Sequence, residues 1–442
     1  MTDLLPAFGS TLHTVLAFVI ALSVIVAVHE FGHYIIGRWS GIRAEVFSIG
    51  FGPRLAARRD RHGTLWQIAA VPLGGYVRFL GDTNAASAGT AKPVPGRARE
   101  TLEGAPLWAR MATVAAGPGF SFLLAIVIFA SFALIRGVPL DQPTVGALSP
   151  VPPGVTNQLR PGDRITAIAG QPVKEWADID RIAADLPAAP GQDWQVARDG
   201  AEITVPGPDL MPARIGGVAP GGAAADAGLR PGDVIAAIDG APISRFDQLR
   251  PKVEAAAGAP LTLTVWREDR GPFDVTLAPR EQDLPRAGGG FEKRWLVGIT
   301  GGGNYFAPAL RRAGPVEAIG LGLSTTWGVV ASSITGIAAM VTGQISSCNI
   351  GGAISIAEST GQAAAVGIPD FIWWIGILSA AIGFLNILPI PVLDGGHLAF
   401  YLYEAVTGRR PSDRVTRWLT SIGLALVLGL MIFGLSNDLF CG

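Results

Sequence analysis

Cysteine is nearly absent, with two residues in a chain of 442. Two thiols cannot build a Cys-based zinc ribbon, an iron–sulfur cluster or a disulfide scaffold. Charge is also scarce, at 16% of residues, which is too little for an ordinary soluble enzyme of this size. Neither sign is in excess. The 34 basic and 35 acidic residues leave a net charge of −1, so no nucleic-acid partner is expected. What fills the chain is apolar: 49% hydrophobic residues and a mean hydropathy of +0.39 exclude a disordered or collagen-like protein. The 58 glycines and 33 prolines suit turns and close helix packing in a membrane.

The few charges are unevenly placed, with 39 of them between Gly137 and Pro315. Outside that block lie charge-free runs at Leu4–Val28, Met111–Ile135, Ala318–Ala357, Phe371–Leu393 and Trp418–Asn437. A membrane span needs about 20 apolar residues. The pattern therefore predicts a polytopic α-helical membrane protein wrapped around one soluble insert. The first run is not expected to be a cleaved signal peptide. It has no basic n-region, and it passes into His29 and Glu30 without a small-residue cleavage site.

Basic residues set the orientation. Arg38–Arg110 carries 11 Lys/Arg against 5 acids, and Glu404–Arg417 carries four arginines. Both should face the cytoplasm. The N-terminus, the insert and the last residues are then outside. Between the insert and Glu404 the chain must then cross an odd number of times, and Phe371–Tyr403 supplies that one inward crossing, so part of Ala318–Ala357 is expected to lie in or on the outer leaflet. A Gly-rich re-entrant loop around Asn349–Ala353 would come after it, and a true fifth span is the alternative. Cys348 and Cys441 would both be extracytoplasmic, where a disulfide is chemically allowed. The plainer reading is two unrelated thiols.

The insert holds a repeat. Leu159–Pro172 (LRPGDRITAIAGQP) and Leu229–Pro242 (LRPGDVIAAIDGAP) are identical at ten of fourteen positions. Each Pro-Gly-Asp signals a turn, and each Ile-x-x-Ile reads as a strand. Ala177–Leu186 and Phe246–Ala257 read as helices; Leu261–Arg267 and Phe273–Ala278 read as strands. Both copies resemble PDZ domains of the bacterial, circularly permuted kind, which take extended peptide ends by strand addition. Ile215, Gly216, Gly217 and Val218 form the candidate groove strand of the second copy.

The chemistry lies in His29-Glu30-Phe31-Gly32-His33. On a helix, His at i and i+4 share one face, so both imidazoles can hold one Zn²⁺, and Glu30 can reach an adjacent water as general base. Ionisable residues at the inner end of a span default to function. Zinc hydrolases use a third protein ligand. Asp394 lies in an apolar segment at matching depth, with His397 as a rival. Pro389 and Pro391 break the helix before it.

HEFGH in the first span, Leu393-Asp394-Gly395 in a late span and inserted PDZ domains together resemble the site-2 protease family of intramembrane metalloproteases. The resemblance implies zinc held by His29, His33 and Asp394, with Glu30 as base and Asn386 holding substrate or the oxyanion. Gly74, Gly75 and Tyr76, after the alternating Trp66–Val71, resemble the family's membrane-reentrant β-hairpin at about residues 42–78, with Glu45–Gly52 as its other arm. Such an edge would extend a substrate as a strand. Ala116-Gly117-Pro118 matches another family signature. Gly351-Gly352-Ala353-Ile354-Ser355 departs from the family's Ser-Gly-Pro-Ile-Ser.

The expected fold is thus a polytopic α-helical membrane protein with a membrane-associated β-hairpin and two inserted α+β PDZ domains. Residues 1–136 would form the catalytic region around the HEFGH span, and 137–213 and 214–282 the PDZ copies. Residues 283–369 would supply a linker, surface helix and Gly-rich loop, and 370–442 the catalytic region around Asp394. The implied function is the second cut of regulated intramembrane proteolysis in a bacterial inner membrane, close to its cytoplasmic side. The partners would be membrane lipid and a single-span substrate trimmed by a first protease, such as an anti-sigma factor. A non-catalytic scaffold binding peptide ends is the alternative.

Overall fold

The computed structural model describes residues 4–82, 96–187, 189, 191–219, 222–285, 291–344 and 351–440. Cys348, Asn349 and Cys441 lie outside them, as does Ile350 of the expected re-entrant loop. In chain order, helix α1 (Leu4–Trp39) leads to strands β1 (Ala44–Arg59) and β2 (Leu65–Phe79) and helix α2 (Leu107–Arg136). The insert comes next as β3 (Val138–Pro139), β4 (Val145–Leu148), β5 (Arg164–Ile168), β6 (Gln171–Pro172), α3 (Trp176–Asp185), β7 (Gln192–Arg198), β8 (Ala201–Gly207), β9 (Ile215–Val218), α4 (Ala223–Asp226), β10 (Val234–Ile238), β11 (Ala241–Pro242), α5 (Leu249–Ala256), β12 (Leu261–Arg267) and β13 (Gly271–Leu277). Then come β14 (Arg280–Pro285), β15 (Phe291–Leu296), β16 (Ile299–Gly301), β17 (Phe306–Pro308) and β18 (Leu310–Arg311). The chain closes with α6 (Pro315–Val341), α7 (Ala353–Val366), α8 (Ile368–Ile387), α9 (Asp394–Thr407) and α10 (Asp413–Phe440).

Two compact units result: 1–132 with 315–339 and 347–442, and 133–314 with 340–346. In the first, five helices among the described residues are long and apolar enough to cross a membrane: Thr11–Trp39 of α1, then α2, α6, α8 and α10. They pack through close contacts. Gly32 of α1 abuts the Ala116 carbonyl of α2, while Gly376 and Gly383 of α8 abut Phe129 and Ser121 of α2. Gly423 of α10 abuts Pro391. The end holding His33, Pro391 and the start of α2 is therefore one end of the bundle. A buried ion pair closes that end, where Arg110 reaches Glu404 through both guanidinium nitrogens at 2.8 and 2.7 Å.

Helix α6 is longer than the surface helix expected there, at 27 residues. It nevertheless begins beside the far half of α2, with Gly322 against Ile126 and Ala130. The chain then returns to that same half through α7, whose Gly361 touches Thr14 of α1. Helix α7 is an element that the local sequence pattern does not announce, since Ala353 opens a helix instead of closing a loop. Its start is capped from α10. Asp438 accepts the Gly352 and Ile354 N–H groups at 2.7 and 2.9 Å, satisfying donors that a helix start leaves free.

The expected hairpin is more than two arms. Segment 46–49 of β1 pairs on one side with 65–68 and on the other with 75–78, and 54–59 pairs outside 65–69. Each strand folds over, so two strands make a four-stranded sheet. Gly50 and Gly52, at φ +90° and +86°, permit the fold in β1.

The second unit carries two sheets of one design, ordered β6-β5-β7-β8 and β11-β10-β12-β13. Ile165, Ile168, Ile235 and Ile238 of the repeat are at most 1% exposed and anchor separate cores. The segment expected to be a linker completes both halves instead. β16 pairs with β9, β17 with β4 and β18 with β3, and Phe306 packs into the first core.

Each repeat aspartate does more than turn the chain. Asp163 accepts the Arg160 N–H at 2.7 Å and two Arg198 nitrogens at 2.7 Å; Asp233 repeats this with Arg230 and Arg267. Burial pushes the Asp163 carboxyl up, but the Arg198 guanidinium and the Arg160 N–H more than offset this and hold it below the ordinary carboxylate range. Its stabilising effect is therefore complete above pH about 4 and is lost as pH falls below that. Asp163→Asn should cost the first repeat about 3 kcal/mol, because Arg198 is left without its partner. Hydrogen exchange of β5–β8 in the full-length protein reads this as a protection loss of about a hundredfold at pH 7 that shrinks toward pH about 3.

Candidate metal centre

The site is assembled from three elements. His29 and His33 lie one turn apart on α1, and Asp394 is the first residue of α9. The His29 and His33 Nε2 atoms are 3.3 Å apart, and Asp394 Oδ2 is 3.1 and 3.5 Å from them. Side-chain exposures of 11, 12 and 18% put the group in a nearly dry environment.

The imidazoles are oriented from α2. The His33 Nδ1–H donates to the Thr113 carbonyl at 2.9 Å. His29 Nδ1 meets the Ser121 hydroxyl at 3.0 Å, and that hydroxyl in turn donates to the Gly117 carbonyl. Both Nδ1 atoms therefore carry the proton, and both Nε2 lone pairs face Asp394. Gly117 sits between the rings: a Cβ there would lie 2.2 Å from His33 Nε2 and 2.8 Å from His29 Nε2.

These donors fit a zinc ion. Two imidazole lone pairs and a carboxylate oxygen face one another with no proton between them, and the Asp394 Oδ2 atom is buried without a hydrogen-bond donor. A buried acceptor in that state demands a cation or a donor. Ligands about 2.0–2.1 Å from a tetrahedral Zn²⁺ stand about 3.3 Å from one another, in line with the observed separations. Among the described residues this is the group of metal-binding side chains that converges, and His397 does not belong to it.

Glu30 lies beside the cluster, and β2 reaches it. The missing Cβ of Gly75 would meet Glu30 Cγ at 3.4 Å, Val26 Cγ1 at 2.8 Å and the Ser48 carbonyl at 2.7 Å. A strand edge thus runs past the carboxylate only because residue 75 is glycine. Gly74 adopts φ +141° against the Phe51 ring, and Tyr76 stacks on Phe51 with ring centroids 5.9 Å apart. Asn386 sits near the end of α8 and donates to the Ile382 carbonyl at 3.0 Å. Ile215–Val218 lies in the other unit, with one edge taken by β16.

Sequence reasoning misses Thr113, Gly117 and Ser121 as a set. Their spacing of four along α2 makes one stripe, and that periodicity is the signal that could have found them.

The chain matches the peptidase family M50 over residues 17–430. A protein of Rhizobium meliloti named as a zinc metalloprotease is 35% identical over 433 residues, spanning 97% of this chain and 96% of its own length. A similarly named protein of Agrobacterium fabrum is 33% identical over 446 residues, at 99% of both chains. The regulator of sigma-E protease RseP of Salmonella typhimurium is 32% identical over 456 residues, at 97% of this chain and 99% of its own.

Proposed function

This chain belongs to peptidase family M50 and is a site-2-type zinc metalloprotease of the membrane, and from that premise we propose that it cuts peptide bonds inside the membrane-spanning segments of other proteins. The observation that carries this reading is the convergence of His29, His33 and Asp394 beside Glu30 among helices apolar enough to lie in a membrane.

His29, His33 and Asp394 would hold Zn²⁺, which supplies a Lewis acid for the scissile carbonyl and lowers the pKa of water. Glu30 accepts a proton from the attacking water and returns it to the leaving amine. The 75–78 edge of β2 offers main-chain groups to an extended substrate, so a helical substrate unwinds into a strand beside Glu30. Asn386 holds the substrate or the oxyanion, with its amide oriented by the Ile382 carbonyl.

The substrate class is single-span membrane proteins already trimmed outside, of the anti-sigma type. The sigma-E name of the Salmonella relative supports this. The two repeat units act as PDZ domains that admit trimmed substrates, by size or by gripping the new C-terminus along Ile215–Val218. We place them outside a bacterial inner membrane, with the zinc site toward the cytoplasmic side, because the arginines of Arg38–Arg110 and Glu404–Arg417 hold those segments in.

Cysteine labelling in intact cells tests this orientation. A membrane-impermeant maleimide should reach cysteines introduced in Gln192–Gly200 and fail in Arg58–Gly63 and Gly408–Ser412. Labelling of Gly408–Ser412 from outside would overturn the placement.

A further inference from the structure

The surface of the folded sheet carries a pocket lined by none of the three converging metal-binding side chains. A cavity of about 240 Å³ opens there, with a wall formed by Arg43, Arg54, Arg59, Arg78, Arg97 and one acid, Glu45. The register puts Arg59, Leu65, Val46 and Arg78 in one row across the strands. Two arginines thus stand at the ends of an apolar floor made by Val46 and Leu65, both of which line the cavity.

The local acids do not neutralise this wall. Glu45 faces Arg78 at 3.4 Å, and Glu100 accepts from Arg97 at 2.9 Å. Arg59 donates to the Gly63 carbonyl, and among the described residues no carboxylate pairs with Arg43, Arg54 or Arg59. Like charges around one cavity repel, and an anion would relieve that repulsion.

We propose that this pocket binds a phosphate group, carried either by an anionic lipid headgroup or by a free phosphate ester. Guanidinium forks match phosphate oxygens bidentately, and three guanidinium groups without carboxylates suit the several acceptor oxygens of a phosphate better than the two of a carboxylate. The cavity is smaller than a drug-sized site and holds a headgroup without its chains. Basic pockets beside membranes bind phospholipid headgroups through the same contacts. The inference does not rest on the protease reading, and its test needs no activity.

The test uses the full-length protein in neutral detergent. Native mass spectrometry counts retained phosphatidylglycerol, and calorimetry measures sn-glycerol 3-phosphate. Arg43→Gln and Arg59→Gln should each weaken phosphatidylglycerol binding about tenfold. Arg58→Gln in β1 and Arg61→Gln in the turn after it remove the same charge but do not line the cavity, and should change binding less than about twofold. Arg43 and Arg59 are exposed, so their loss should leave the fold intact, and unchanged thermal melts would check this. Competition by glycerol 3-phosphate identifies a free phosphate ester as sufficient. Retention of lipid without such competition identifies the lipid headgroup. Equal losses in all four variants, or binding of neither probe, would overturn the proposal.

Discussion

Gly117→Ala is expected to leave the protein folded but strip it of zinc and of activity. The new methyl would lie 2.2 Å from His33 Nε2 and 2.8 Å from His29 Nε2, in the space a metal needs. Relief by moving the helices apart would break the close contact between Gly32 of α1 and the Ala116 carbonyl of α2. The rings must swing away, and each would then lose the Thr113 or Ser121 contact that fixes its tautomer. Loss of one orienting contact alone costs about 10–100-fold in metal affinity, so displacing both rings should cost more. Gly119→Ala is the control on the same helix. Its Cβ meets open space, so zinc content and turnover should stay near normal. Metal analysis of the purified variants reads both outcomes, and full zinc occupancy in Gly117→Ala would remove the assignment of the site.

Glu30→Gln separates chemistry from metal binding. Glu30 is not one of the three converging donors, so the variant should hold zinc like the parent. An amide cannot take a proton from water, and general-base catalysis contributes about 10²–10⁴-fold, so cleavage should fall by at least that range. His33→Ala and Asp394→Ala should instead lose metal and activity together. The isosteric change at Glu30 also leaves the contact with Gly75 in place, so substrate binding along β2 should survive in the inactive protein.

Features that arise from periodicity are the ones legible in the sequence. His29 and His33 are legible because i and i+4 share a helix face. Asp394 is legible as a carboxylate at matching depth in an apolar segment, and the structure brings it to the histidines while leaving His397 outside the group. The repeat strands are legible because Ile-x-x-Ile comes after a turn signal in each copy, and Leu261–Arg267 forms the expected strand.

Features that depend on contacts between distant segments stay hidden. Short strands such as Ile299–Gly301 carry no alternation to announce them, and they form because β9, β4 and β3 offer open edges. The doubling of the hairpin into four strands depends on backbone freedom at Gly50 and Gly52, which reads in a sequence only as a turn-prone spot. The cap of α7 comes from Asp438, 86 residues beyond Gly352. The Asp163–Arg198 pair joins residues 35 apart. Local pattern carries no record of such partners.

The most direct test is to map the bond that is cut. The purified enzyme and its Glu30→Gln variant, both checked for zinc, are incubated in proteoliposomes with a single-span protein lacking its outer domain, and the products are sequenced by mass spectrometry. The expected result is a cut within the apolar span by the parent enzyme, with none by the zinc-loaded variant. A cut outside the span, or the same products from Glu30→Gln, would contradict intramembrane proteolysis by this site.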